Sequence, residues 1–135
     1  MTHPTTLIHL SINRPAAEVY AYVADPMNLT QWASGLSRAE LRQEGPYWIA
    51  DSPMGTVKIK FALRNVYGVV DHDVITSDGA TFANPMRVQP NGDGAEVIFT
   101  LYRLPGVADA DFEKDAATIR GDLAKVKEIL EGAKS

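Results

Sequence analysis

The alternation of apolar and polar side chains predicts that most of this chain is β-strand. From Leu7 to Ile12, every second residue is apolar on one face, which is typical of a strand with one buried side. Thr56–Arg64 alternates in the same way, with Lys58 and Lys60 on the polar face. The pattern predicts six strands after the first, at 36–43, 46–51, 56–65, 68–76, 80–90 and 95–104.

Short turns separate the predicted strands. Turn signals occur at Gly45-Pro46, Pro53-Met54-Gly55, Ser77-Asp78-Gly79 and Asn91-Gly92-Asp93-Gly94. Connections this short join antiparallel neighbours, whereas parallel strands need a long crossover. We therefore expect a seven-stranded antiparallel meander.

Helical spacing is found before and after the meander. Pro15 suits the first turn of a short helix, and Asp25-Pro26 suits the capped start of a second one that reaches Trp32. A long helix is predicted at about 109–131, where Asp109 or Asp111 could cap the start and Gly132 is a stop signal. Its apolar stripe comprises Phe112, Ala116, Ile119, Leu123, Val126 and Leu130. This stripe can cover one face of the sheet, so we predict a single α+β domain over residues 1–135.

Composition excludes several functional classes. The chain has no cysteine, which rules out disulfides and thiolate chemistry. A net charge of −4 with scattered basic residues argues against nucleic-acid binding. We find no signal peptide and no apolar run near the roughly 20 residues of a membrane span, so we expect a cytoplasmic protein. His3, His9 and His72 lack metal-ligand spacing and no glycine-rich phosphate loop occurs, so we expect no cofactor.

The opening of the chain resembles a known superfamily. Ile12–Tyr20 (INRPAAEVY), Val23–Pro26 (VADP), Leu29 and Trp32 are similar to the start of the polyketide cyclase/dehydrase-like branch of the START/Bet v 1-like helix-grip superfamily, also called SRPBCC. The resemblance implies a curved sheet that grips the long helix, with a ligand cavity between them. Members bind lipids, hormones and secondary metabolites, act as cyclases or dehydratases, or assist other proteins. The resemblance therefore implies the fold and leaves the activity open.

His72 is the first candidate for chemistry. On a strand it shares a face with Val70 and Val74, while Asp71 and Asp73 point the other way. A histidine in an apolar cavity could transfer protons or anchor a ligand. The alternative is a core histidine that is hydrogen-bonded across the sheet.

Three charged residues extend the catalytic hypothesis. Asp115 and Asp122 flank the apolar stripe of the long helix and could reach the cavity edge to pair with His72 or Arg103, or could simply face water. Arg103 could hold a ligand carboxylate or carbonyl if its face of strand 95–104 is the inner one, which the pattern leaves open. The remaining candidates for ligand contact are bulky or polar residues on apolar faces, for which core packing is the alternative: Trp32, Phe61, Val70, Phe82, Asn84, Met86, Phe99 and Ile119.

These observations support three hypotheses. The first is a binding domain for a small, mostly hydrophobic molecule. The second is a cofactor-independent cyclase or dehydratase that uses His72, Asp115 and Asp122. The third is a protein-interaction module, with a second copy of the chain as one partner.

Overall fold

The computed structural model describes residues 1–52 and 55–132, which form antiparallel sheets and a long C-terminal helix. Its helices are α1 (Ala16–Val23), α2 (Leu29–Trp32) and α3 (Asp109–Gly132). Short 3₁₀ turns occur at Pro26–Asn28 and Ser34–Leu36. The strands of the described residues are β1 (Thr5–Ile12), β2 (Glu40–Glu44), β3 (Tyr47–Ser52), β4 (Gly55–Phe61), β5 (His72–Ile75), β6 (Thr81–Asn84), β7 (Met86–Asn91) and β8 (Gly94–Tyr102).

The described strands form two sheets, so the prediction of seven strands in one sheet was wrong in detail. One sheet has the order β2-β3-β4-β5-β6 and the other has the order β1-β8-β7. The predicted strand 80–90 is divided at Pro85, which lacks the N–H that a central strand position must donate. Thr100 N–H donates to the Pro85 carbonyl at 3.0 Å, so the break lies beside β8.

The predicted strand 68–76 is also divided between the two sheets. Val70 N–H donates to the Met86 carbonyl at 2.8 Å, and Val88 N–H donates to the Gly68 carbonyl at 2.9 Å. Residues 68–70 therefore pair with β7, whereas β5 pairs with β4 and β6. The segment joins the two sheets into one curved wall.

Strand β4 is shorter than predicted because Asn65 organises the following loop. Its side chain donates to the carbonyls of Leu63 and Val69, both at 2.9 Å, and accepts the N–H groups of Tyr67 and Val69, both at 3.0 Å. Leu63, expected on the buried face, is 90% exposed. A short-range asparagine turn has thus replaced the end of the strand.

Other local predictions were confirmed. Asp25 caps the turn that follows it by accepting the Met27 N–H at 3.0 Å, and Pro26 occupies the first helical position. Strand turns occur at Gly45, Gly79 and Gly92, all of which have positive φ. The predicted turn at Pro53-Met54-Gly55 and any stop after Gly132 involve residues outside the described ranges. The strand predicted at 36–43 begins only at Glu40, because residues 34–36 form a 3₁₀ turn.

Helix α3 packs its predicted stripe against the curved sheets. Ala116, Leu123, Val126 and Leu130 are buried, and they share the core with Ile8 and other strand residues. At its C-terminal end, Lys127 Nζ donates to the Ser11 carbonyl at 2.8 Å, which ties the helix to β1. On β8 the buried face is that of Val97 and Phe99. The pattern of strand 95–104 had left open which of its two faces is the inner one.

Candidate functional site

An inner cavity of about 190 Å³ lies between the two sheets, α2 and the middle of α3. Most of its wall is apolar, and that part is formed by Leu29, Ala33, Leu36, Ile59, Val74, Phe99, Ile119 and Leu123. Its polar residues are Trp32, His72, Asn84 and Asp122. A mostly apolar cavity with few polar groups is the usual form of a small-molecule site.

His72 is held on the cavity wall in a fixed orientation. The side chain is 9% exposed, and its ring stacks on Phe61 at 5.1 Å between centroids and meets Phe99 edge-on at 6.3 Å. Its Nδ1 lies 3.0 Å from the Val70 carbonyl, and since a carbonyl only accepts, Nδ1 carries the hydrogen. Burial lowers the pKa of His72, which favours the neutral ring with Nε2 as an acceptor. Nε2 has no hydrogen-bond partner among the described residues.

Trp32 contributes an unpaired donor. The residue ends α2 and is 6% exposed, and its Nε1 is buried without a hydrogen-bond partner in the described part of the chain. A buried N–H without a partner costs about 1–3 kcal/mol. An acceptor on a bound molecule could remove that cost.

Asp122 links α3 to the turn after α2. Its Oδ1 accepts the Ser34 N–H at 3.1 Å. Burial raises the pKa of the Asp122 carboxyl, and the contacts with Ser34 oppose this shift. The carboxylate is therefore a half-buried acceptor at the edge of the cavity.

Two larger spaces adjoin the inner cavity. An outer groove of about 370 Å³ lies between β6, β8 and the start of α3, and Asn84 lines both it and the inner cavity. A second cleft, of about 440 Å³, lies between α3 and the α2 region, residues 30–37, and it shares Trp32, Ala33 and Asp122 with the inner cavity. The shared side chains thus lie between the inner cavity and each of these two spaces.

The structure brings together six of the predicted site residues around the inner cavity: Trp32, His72, Asn84, Phe99, Ile119 and Asp122. Phe82 lines the outer groove instead, where it is 41% exposed. Phe61 supports the His72 ring and lines a shallow depression beside Lys60. Val70 and Met86 are fully packed in the core and line none of these spaces, which corrects their assignment as ligand contacts.

Arg103 and Asp115 do not join His72, so the predicted convergence of these groups was wrong. Strand β8 ends at Tyr102, and Arg103 turns away to donate from Nε to the Val107 carbonyl at 3.1 Å and to pair with Asp109. Asp115 is exposed at the rim of the outer groove. Asp122 bonds to Ser34 rather than to His72 or Arg103.

Several cavity residues were missed, although the sequence carried signals for some of them. Val74 lies two residues after His72 on the same face, and its register partner Ile59 is on β4. Leu123 lies one helical turn after Ile119. Leu29, Ala33 and Leu36 could not be placed, because the path of the chain through the two short turns has no periodic signal.

The sheets curved around one long C-terminal helix agree with the helix-grip architecture of SRPBCC or Bet v 1-like proteins. The sequence profile of one family matches residues 8–131. The chain belongs to this family, which is described as Polyketide cyclase / dehydrase and lipid transport.

Solved structures agree with this fold. DynU16, a protein of the dynemicin biosynthetic locus, is similar with a TM-score of 0.73 at 16% identity over 96% of this chain, which spans 48% of DynU16. XoxI from Bacillus cereus has a TM-score of 0.72 at 13% identity, covering 100% of this chain and 99% of its own. Ara h 8.0201 has a TM-score of 0.66 at 14% identity, with coverage of 96% and 98%. No curated protein sequence shows a significant match.

None of the helices in residues 1–52 and 55–132 is long and apolar enough to cross a membrane. The same residues contain no group of three or more histidine and carboxylate side chains that could hold a metal ion.

Proposed function

We propose that this protein binds a small, mostly hydrophobic molecule in the inner cavity between the sheets and α3. The observation that carries the proposal is this mostly apolar cavity itself, whose lining residues include Trp32 with its buried, unpaired Nε1–H. A buried N–H without a partner costs free energy in the unliganded protein. A ligand oxygen that reached Nε1 could accept its hydrogen bond. The family description is consistent with the same function.

The size of the cavity limits the ligand. An engineered protein cavity of about 150 Å³ holds one benzene molecule. The inner cavity, at about 190 Å³, suits one or two fused rings. The ligand class is therefore a compact ring compound with at least one oxygen.

Titration with 2-naphthol tests this proposal. We expect one molecule to bind per chain with a Kd on the order of 10–100 µM by isothermal titration calorimetry. Ile119→Trp places a larger side chain into the cavity wall and should weaken binding at least tenfold. Arg120→Trp, on the exposed neighbouring position, is the matched control and should bind as the unaltered protein does. Equal binding by both variants would place 2-naphthol elsewhere and contradict the proposal.

A second candidate function is cofactor-independent acid–base catalysis in the same cavity. It is favoured by His72, whose Nδ1–H is held by the Val70 carbonyl while Nε2 is left as an acceptor. A neutral imidazole fixed in this way can take a proton from a ligand C–H or O–H. His72→Gln should then abolish turnover of a cyclisable polyketide-like substrate while retaining its binding. Equal loss of binding and turnover would point to a positioning role instead.

A further inference from the structure

The loop between β4 and β5 exposes three large apolar side chains within five residues. Leu63 is 90% exposed, Val66 is 91% exposed and Tyr67 is 81% exposed. Single apolar residues on a surface are ordinary, whereas a group of them is typical of a surface that another molecule covers. We call these three residues the loop patch. They line neither the inner cavity nor the outer groove, so the proposed function does not account for them.

The loop patch is held in place from two sides. On one side, the Asn65 N–H donates to Tyr20 Oη of α1 at 3.0 Å. On the other side, the Val88 N–H of β7 donates to the Gly68 carbonyl at 2.9 Å. The Asn65 side chain adds four hydrogen bonds within the loop. Because the loop is ordered before a partner arrives, association costs little further conformational entropy there.

A recess lies directly beside the loop patch. It has a volume of about 460 Å³ between the start of α1 and β7, and Val66 and Tyr67 form one of its walls. The remaining walls of this α1 recess are mostly apolar and include Ala16, Ala17, Tyr20, Val88 and Pro90. An apolar protrusion and an apolar recess are thus neighbours on one surface. A two-fold interface requires such a self-complementary surface, because each copy must receive what it also presents.

The charges around this surface favour a neutral partner. Arg14 pairs with Glu18 at the start of α1, and Lys60 faces Asp73 across the register of β4 and β5. The segment that carries the loop patch contains one charge, that of Arg64. Recognition of an anionic lipid surface uses clusters of about four to eight Lys and Arg side chains. A single arginine does not form such a cluster, so an apolar protein surface is the better match.

The exposed apolar area is sufficient for a small dimer interface. The three side chains of the loop patch together expose on the order of 500 Å². A specific interface buries at least about 1,000 Å², counted over both partners. Two copies of the loop patch therefore supply this area before the walls of the α1 recess are added.

We propose that a second copy of this chain covers this surface, and that the protein forms a two-fold symmetric dimer through the loop patch and the α1 recess. In the dimer, Val66 and Tyr67 of each copy lie in the recess of the other copy, against Ala17. None of the residues of this interface lines the inner cavity, so the inference is independent of the proposed function.

Sedimentation velocity of the full chain tests the dimer. Over a range of about 1 to 200 µM we expect a monomer–dimer equilibrium with a Kd on the order of 10 µM, as suits an interface near the lower size limit. Val66→Lys places a charge in the interface and should weaken association at least tenfold. Leu7→Lys changes another exposed leucine, on β1 and outside this surface, and should associate as the unaltered protein does.

A charge-pair experiment tests the two-fold arrangement. Ala17→Glu places a carboxylate in the α1 recess and should weaken association as Val66→Lys does. An equimolar mixture of the two variants should form a heterodimer, because one contact then joins opposite charges and the other contact is unaltered. Urea-unfolding midpoints check that both variants are folded. Independently of any variant, dilution of the unaltered protein should shift the NMR amide signals of Ala17, Val66 and Tyr67.

The opposite results overturn the inference. A monomer at every concentration does so, as does equal association of Val66→Lys and Leu7→Lys. A mixture of Val66→Lys and Ala17→Glu that stays monomeric would exclude the two-fold contact between patch and recess. Cosedimentation of a monomeric protein with phosphatidylcholine/phosphatidylglycerol vesicles, lost in Val66→Lys, would assign the loop patch to a lipid surface instead of a second copy.

Discussion

Asp71 and Arg87 form a two-point ion pair where the two sheets meet. Arg87 Nε donates to Asp71 Oδ1 at 2.9 Å and Nη2 donates to Oδ2 at 2.8 Å. The Met86 N–H also donates to Oδ1, at 2.9 Å. The pair therefore joins the residue before β5 to the start of β7, across the division that the sequence did not reveal.

We predict that Asp71→Asn destabilises the fold by about 1 kcal/mol at neutral pH, since both side chains are partly exposed and the pair is screened by water. The hydrogen bonds from Arg87 are the main cause of the lowered pKa of Asp71. A carboxyl whose folded pKa is lowered stabilises above its unfolded pKa of about 3.9, and this contribution is lost as pH falls through the folded value. The difference between the proteins in urea unfolding should therefore shrink from about pH 6 to pH 3. A constant difference would contradict this assignment.

Gly68 is predicted to be intolerant of any side chain. Its φ is +75°, and a Cβ there would lie 1.9 Å from the Val88 carbonyl oxygen. Left-handed backbone alone costs about 1–2 kcal/mol for a residue with a Cβ, and the overlap with Val88 adds to it. Gly68→Ala should thus cost more than about 2 kcal/mol in urea unfolding. Gly79→Ala is the matched control, because its φ is +90° with nothing within 4 Å, and it should cost only the backbone part.

Asn65 is predicted to fix the loop after β4 rather than the strands. Asn65→Ala removes four hydrogen bonds to the loop backbone and leaves those groups near water, so we expect a loss of about 1–2 kcal/mol. Amide hydrogen exchange should accelerate at Tyr67 and Val69, whose N–H groups bond to the Asn65 side chain. Unchanged exchange at these two amides would show that the loop is held by other contacts.

Periodic elements could be predicted from the sequence, and local breaks in them could not. The α3 stripe and the face that His72 shares with Val70 follow from spacing alone, because burial repeats with the geometry of the helix or strand. Pro85 carried a signal for the division of strand 80–90, since proline is unsuited to a central strand. The division of strand 68–76 had no such signal, because it depends on which neighbour each half pairs with. The direction of the Arg103 side chain likewise could not be predicted, because it depends on where β8 ends.

The buried histidine should make stability depend on pH in a direction opposite to that of an exposed, salt-bridged one. Burial is the largest cause of the lowered pKa of His72, and the Val70 carbonyl only partly opposes it. Below the unfolded pKa of about 6.5 the unfolded chain gains a proton that the folded protein does not take up, so stability falls as pH falls. His72→Gln should flatten the urea-unfolding midpoints between about pH 7 and pH 5. In an NMR titration, the signal of the His72 ring can be assigned directly, because it is absent from the spectrum of His72→Gln.

The unpaired Nε1–H of Trp32 leads to a prediction about ligand chemistry. If this donor bonds to a ligand oxygen, Trp32→Phe should weaken the binding of 2-naphthol by about fivefold to tenfold, the effect of one hydrogen bond of about 1–1.5 kcal/mol. Naphthalene has no acceptor and should lose at most the smaller packing contribution that both ligands share. Removal of the unpaired donor should also offset part of the stability lost with the larger ring. Trp48→Phe, on β3 outside the inner cavity, is the matched control.

The two ligands, each measured with the unaltered protein and with Trp32→Phe, form a double-mutant cycle in which contributions common to both ligands cancel. A residual coupling near 1 kcal/mol between the Trp32 nitrogen and the naphthol oxygen would assign the hydrogen bond. Isothermal titration calorimetry measures all four affinities under the same conditions. Equal losses for naphthalene and 2-naphthol would show that the Trp32 donor stays unpaired in the complex and has no role in binding.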